Sequence, residues 1–217
     1  MAEMTQPQST IDPPSVGSPM AWNDTDSNRP VPFWSSVRAD LIAQLPPNER
    51  QRSPLGWALA AAKIGISSPG FKVALVYRFN HALVNHVGPT GRIVAGVINK
   101  ATHIIYHSAI SPTARLHGGL VLPHPQGITI GTEVVVGPRT WIYQNVTMGG
   151  TGGRDGQPNV GADCRIYTGA VIVGPVVVGD EVVVSPNSLV QRSVPSGSLA
   201  VGVPAAVFPK FSKAKAS

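Results

Sequence analysis

Aliphatic residues recur at every sixth position through the second half of this chain. They stand at Ile110, Leu116, Leu122, Ile128, Val134 and, past Thr140, Val146. After an interruption they resume at Val160, Ile166, Ile172, Val178, Val184 and Val190. Four positions after each of the first five of that second run comes a small or compact residue: Cys164, Ala170, Val176, Val182, Ser188. A period of six fits neither an amphipathic helix nor an ordinary alternating strand. It is what a triangular prism of parallel strands requires, each short side placing one aliphatic inward and each corner taking Gly, Pro or polar residues. Three sides of six residues give about eighteen per coil, so 110–189 holds about four coils. The eight residues Gly152–Asn159 stand outside the pattern. They read as an inserted loop that accounts for a two-residue phase difference between the two runs. The stack is expected to close near Pro195-Ser-Gly-Ser198 and Gly202-Val-Pro-Ala-Ala206.

Upstream the pattern changes to helical spacing. Phe33–Ile42, Leu55–Ile66, Phe71–Val87 and Ile93–Tyr106 read as helices, separated by Pro46-Pro47, by Ser67-Ser-Pro-Gly70 and by Gly88-Pro-Thr-Gly91. Residues 1–32, with five Pro before residue 31 and no hydrophobic periodicity, are expected to be a disordered tail. The organisation is then 33–108 helical, 109–209 parallel β-helix with a loop at 152–159, and 210–217 a basic tail. The 23 Gly and 21 Pro among 217 residues suit the turn-dense part. A lone cysteine, Cys164, excludes an intrachain disulfide and any CxxC motif; it sits at a small inward position and reads as packing. The start lacks a basic, apolar leader, and no apolar run reaches the roughly 18 residues that span a bilayer. A cytoplasmic protein is expected.

The formal net charge of +6 is unevenly placed: eight basic residues and no acid lie between Arg50 and Thr132. This is either a solvated basic face or attraction to an anionic partner, a membrane surface or an acidic glycan. No nucleic-acid motif accompanies it.

The hexapeptide repeat, together with Tyr143-Gln-Asn-Val-Thr-Met-Gly-Gly-Thr-Gly152 and Ala200-Val-Gly-Val-Pro-Ala-Ala-Val207, resembles the serine acetyltransferase branch of the left-handed β-helix acyltransferases. Gly70-Phe-Lys-Val-Ala-Leu-Val-Tyr-Arg-Phe-Asn-His81 and Val37-Arg-Ala-Asp-Leu41 extend the resemblance into the helical region, so that it covers about residues 33–209. The resemblance implies a mainly β fold, a left-handed parallel β-helix behind an N-terminal α-helical region. It also implies acetyl-CoA as co-substrate, no metal, and a homotrimer or dimer of trimers with active sites between neighbouring β-helices. It places the general base on His124, in Leu122-Pro-His-Pro-Gln-Gly-Ile128. Gly149, Gly150, Thr151 and Thr168 fall on CoA-binding positions. The chemistry is coherent: a hydroxyl is a weak nucleophile at neutral pH, and a positioned histidine contributes roughly 10²–10⁴-fold. Backbone N–H groups near Gly149–Thr151 would stabilise the oxyanion. His117 reads as a surface corner residue. A zinc site of the β-helical carbonic anhydrase type needs three histidines on adjoining coils, and these coils contain His117 and His124 alone.

The sequence departs from that branch where the acceptor is held. Pro123 and Ala109 stand where aspartates are expected, and Gly156-Gln157-Pro158 replaces the Arg-His-Pro that holds the amino acid's carboxylate. The chain does not end in the isoleucine that enters cysteine synthase, so no such complex is expected. One lost charged hydrogen bond is worth about 1.5–3 kcal/mol. Arg154, Asp155 and Gln157 are the nearby candidates for acceptor binding, with Arg139 as a further replacement cation and Glu133 or Asp155 to orient His124. A base without the usual clamp resembles the colanic-acid-type enzymes, so the expected acceptor is a sugar hydroxyl in exopolysaccharide biosynthesis. Serine O-acetylation for cysteine biosynthesis is the alternative, and a non-catalytic β-helix scaffold a further one.

Overall fold

The computed structural model describes residues 30–46, 53–152 and 156–209. Most of the expected N-terminal tail, the basic tail 210–217, and Arg154 and Asp155 lie outside these. The described chain opens with helices α1 (Phe33–Ala43), α2 (Pro54–Ser67), α3 (Pro69–His86) and α4 (Pro89–Tyr106). Ser68 both ends α2 and caps α3, its Oγ accepting from the Phe71 N–H at 3.2 Å, so the expected break is a sharp corner between two helices. The fourth helix starts four residues before Ile93. Gly88, at φ +70, turns the chain and Pro89 fits the first helical turn. Among the described residues no single helix is long and apolar enough to cross a membrane.

From Ala109 the chain winds as a parallel β-solenoid with three faces. Face A stacks β1 (Ala109–Ile110), β3 (Thr129–Ile130), β6 (Thr147–Gly149), β9 (Val171–Val173) and β12 (Leu189–Val190). Face B stacks β2 (Arg115–Leu116), β4 (Val135–Val136), β7 (Asn159–Val160) and β10 (Val177–Val178). Face C stacks β5 (Trp141–Ile142), β8 (Arg165–Ile166), β11 (Val183–Val184) and β13 (Ser198–Val201). There β14 (Ala206–Pro209) folds back antiparallel on β13 and closes the edge. All thirteen sixth-position residues, Thr140 included, are at most 4% exposed.

Strand register corrects one expectation. The regular coil has eighteen residues, as in Thr129 with Thr147, Asn159 with Val177 and Arg165 with Val183. The coil crossing the inserted loop has twenty-four, Val135 pairing with Asn159 and Trp141 with Arg165. The loop therefore adds one whole side of six and leaves the phase unchanged. The two-residue slip lies elsewhere. Ala109 pairs with Thr129 and Val121 with Trp141, twenty residues on in both cases. From Leu122 to Thr129 the corner takes seven steps, where the same corner takes five from Ile142 to Thr147, Ile166 to Val171 and Val184 to Leu189. The Asn145 N–H donates to the Gln126 carbonyl at 2.9 Å, which aligns Gln126 with Gln144 and leaves Pro123, His124 and Pro125 opposite Tyr143 alone, two residues more than the corner needs.

The helices are fastened to the first coil by a buried ion pair. Arg78 Nε lies 3.0 Å from Asp40 Oδ2, and its Nη2 donates to Asp40 Oδ1 at 3.1 Å and to the His117 carbonyl at 2.9 Å; Nη1 donates to the Leu116 carbonyl. Asp40 Oδ1 also accepts from the Gly119 and Leu120 N–H groups, both at 2.8 Å. One carboxylate thus joins α1, α3 and the turn after β2. Beside it the Tyr77 hydroxyl donates to the Ala114 carbonyl at 2.8 Å and accepts from the Leu116 N–H at 3.0 Å, and burial pushes its pKa up to about 12. His117 belongs to this junction and is 9% exposed, not the surface residue expected.

Candidate active site

His124 occupies the wide corner between faces C and A, exposed and flanked by two prolines. The corner is held from three sides. Beneath it the buried Ser108 Oγ donates to the Pro125 carbonyl and accepts from the Ile128 N–H at 3.1 Å. Gly127, at φ +68, lies against Asn145 so closely that an added Cβ would stand 2.1 Å from Asn145 Oδ1. On the approach side, Gly70 at the start of α3 rests on Leu122, where a Cβ would come within 1.8 Å of the carbonyl oxygen. Only glycine lets the helix lie against the main chain two residues before the candidate base. The proline pair, the serine brace and the helix fix the backbone while leaving the imidazole in solvent.

The same edge continues upward with Tyr143 and Tyr167, whose rings stack at 4.9 Å, and with the half-buried Thr168. Gln144 Oε1 on this edge is buried without a hydrogen-bond partner. The spacing alone did not single out the tyrosines, because twenty-four residues separate them and the inserted loop hides the repeat. Nor did it single out Ser108 or Gly70, which act on the corner from outside the hexads.

The remaining candidates lie on the other edge of face A. Gly149 ends β6, and Gly150 and Thr151 follow it exposed at the corner between faces A and B. The Gly149 carbonyl accepts from the Gly174 N–H at 3.0 Å. Gln157 folds back over them, its Nε2 within 2.8 Å of where a Cβ on Gly150 would be, so the Gln157 side chain rests directly on the glycine main chain. A side of six residues at about 3.3 Å each is up to about 20 Å long. Within one chain, His124 and Thr168 therefore stand a full face away from Gly149, Gly150, Thr151 and Gln157.

Two expected helpers are corrected on the same ground. Glu133 lies at the A–B corner, across face A from His124, and does not orient it within the chain. Arg139 lies at the B–C corner, where its Nε donates to Asp163 Oδ1 at 2.7 Å, so its charge is already engaged. Cys164 is fully buried, its thiol donating to the Gly179 carbonyl at 3.1 Å, which agrees with a packing role. Among the described residues no group of three His, Cys, Asp or Glu is placed to hold a metal ion.

Beside the A–B edge, α3, face B and the chain entering α1 line an open cavity of about 840 Å³ that reaches Gln157. His81 stands in its wall, Nδ1 2.9 Å from the Pro112 carbonyl. Burial holds the His81 imidazole below its ordinary pKa.

No protein-family model matches the chain. Among curated proteins it is 33% identical over 144 residues to serine acetyltransferase of Helicobacter pylori, covering 65% of this chain and 82% of that protein. It is 32% identical over 141 residues to serine acetyltransferase of Synechococcus elongatus, where the match spans 64% of this chain and only 57% of the relative's length. Among solved structures, Neisseria gonorrhoeae serine acetyltransferase in complex with serine superposes with a TM-score of 0.67 at 30% identity, over 80% of this chain and 68% of that one. A serine acetyltransferase in complex with CoA gives a TM-score of 0.68 at 28% identity, over 81% and 69%.

Proposed function

Because the chain belongs to the serine acetyltransferase family, a family of acyltransferases, we propose that it transfers the acetyl group of acetyl-CoA to the hydroxyl of L-serine, with His124 as general base. The observation that carries this reading is His124 itself, set at a corner two residues longer than the same corner of the coils above it and braced by Ser108 and Gly70. The imidazole takes the hydroxyl proton as the oxygen attacks the thioester carbonyl. The tetrahedral oxyanion collapses, the carbon–sulfur bond breaks, and the proton passes to the leaving thiolate. Gly149, Gly150 and Thr151 would lie along the pantetheine arm, with Thr168 as a further contact. Relatives that carry serine and CoA favour serine over the sugar hydroxyl that the altered clamp had pointed to.

Serine is much shorter than face A, so His124 and Gln157 meet on one acceptor only when a neighbouring copy supplies the second edge. A cyclic trimer with parallel solenoid axes does this, and a solution mass of about three times 22.7 kDa, or a multiple, is expected. The deciding experiment is CoA release from acetyl-CoA with L-serine, nucleotide sugars and extracted exopolysaccharide, with His124→Ala alongside. Serine-dependent release that falls roughly 10²–10⁴-fold in His124→Ala supports the reading. Release with a glycan and none with serine overturns it.

A further inference from the structure

The cavity between α3 and face B has a lopsided chemistry. Gln157 and Asn159 line it, and each carries a buried side-chain oxygen, Gln157 Oε1 and Asn159 Oδ1, without a donor. Orphaned buried acceptors are costly, on the order of 1–3 kcal/mol each, and are normally kept for a ligand or an ordered water. His81 adds a third acceptor: with Nδ1–H given to the Pro112 carbonyl, its other ring nitrogen carries a lone pair. Glu133, at a left-handed corner with φ 60, adds a carboxylate. Arg115 and Arg78 stand in the same wall, the charge of Arg78 being taken up by Asp40. Several acceptors beside one carboxylate match a group with several N–H donors and a positive charge.

We propose that this cavity is the pocket for the acceptor's ammonium group, with Glu133 supplying the charge and Gln157 and Asn159 the hydrogen bonds, so that the acceptor class is an α-amino acid and not a neutral polyol. The inference rests on the serine reading and supplies acceptor groups in a chain whose expected aspartates are replaced by Pro123 and Ala109. Glu133 and Asn159 come from different coils, brought together because Val135 pairs with Asn159 across the inserted loop.

The test compares L-serine with 3-hydroxypropanoate, which keeps the hydroxyl and carboxylate but lacks the amine. The wild-type chain should prefer serine in kcat/KM. In Glu133→Gln and Asn159→Leu that preference should fall about ten- to a hundredfold, the worth of one charged hydrogen bond. The KM for acetyl-CoA and the Tm should stay within error, which separates loss of recognition from loss of fold. Wild-type serine turnover with the preference unchanged in both variants overturns this inference and leaves the proposed function standing. No serine turnover by the wild type overturns the proposed function and this inference with it.

Discussion

Deleting Pro123 and His124 together should leave the fold standing and remove the chemistry. The link from Leu122 to Thr129 would shrink from seven steps to five, the length that the same corner has in the next three coils. Pairing on both sides is untouched: Val121 still bridges Trp141, and Asn145 still donates to Gln126. The deletion removes an exposed histidine and a half-buried proline, so the lost burial is small. Shortening a loop by two residues changes its closure entropy by only a few tenths of a kcal/mol. A net change within about 1 kcal/mol follows, or about 2–4 °C in Tm for a chain of this size. Activity should fall roughly 10²–10⁴-fold, as in His124→Ala. Circular dichroism melts and CoA release, read on the same preparations, check both halves. Deleting Tyr167 and Thr168, at the same corner of a regular coil, is the control and should unfold the solenoid. A Tm loss above about 10 °C for the Pro123–His124 deletion would refute the register argument, because the two residues would then be part of the coil and not an addition to it.

Gly70→Ala forces a Cβ into the Leu122 carbonyl and should cost about 1–3 kcal/mol. Because it displaces the His124 corner, kcat should drop by up to about a hundredfold, with the KM for acetyl-CoA unchanged; an unaltered kcat would count against the bracing role. Arg78→Met leaves Asp40 buried without its cation and should cost about 3–5 kcal/mol in denaturant unfolding. Asp163→Asn, in the exposed pair with Arg139, should cost about 0–1 kcal/mol, and equal costs would refute the weight given to burial. His81 resists protonation in the fold, whereas the unfolded chain takes a proton near the ordinary value of 6.5. Its contribution is therefore fully present above pH 6.5 and declines as the pH falls from there towards the depressed folded value. His81→Gln should flatten that slope in pH-dependent melts.

Much of the architecture was legible in the spacing. A side chain that must point inward once per short side imposes a period of six whatever the neighbours are, so the solenoid, its thirteen buried positions and the packing of Cys164 followed from the sequence. The phase slip did not. Ile128 and Ile130, Val134 and Val136, and Val146 and Met148 are all apolar and buried, since residues two apart on a strand face the same way. Either series satisfies the count of six, and only the pairing of Val121 with Trp141, followed by that of Gln126 beside Asn145, places the two extra residues at the Pro123–His124–Pro125 corner.

The candidate site divides in the same way. His124 and the Gly149–Thr151 turn were found through local motifs, which are contiguous and therefore readable. Their separation across face A was not, because it depends on which corner each motif occupies after the chain has wound. The cavity joins His81 on a helix to Glu133, Gln157 and Asn159 on successive coils. Nothing in the spacing of those residues marks them as neighbours. The sequence alone determined that the chain must wind as a prism of short parallel strands. The tertiary structure decided where that winding is widened by two residues and which corners share an edge, because hydrogen-bond register and helix docking, not periodicity, set those distances.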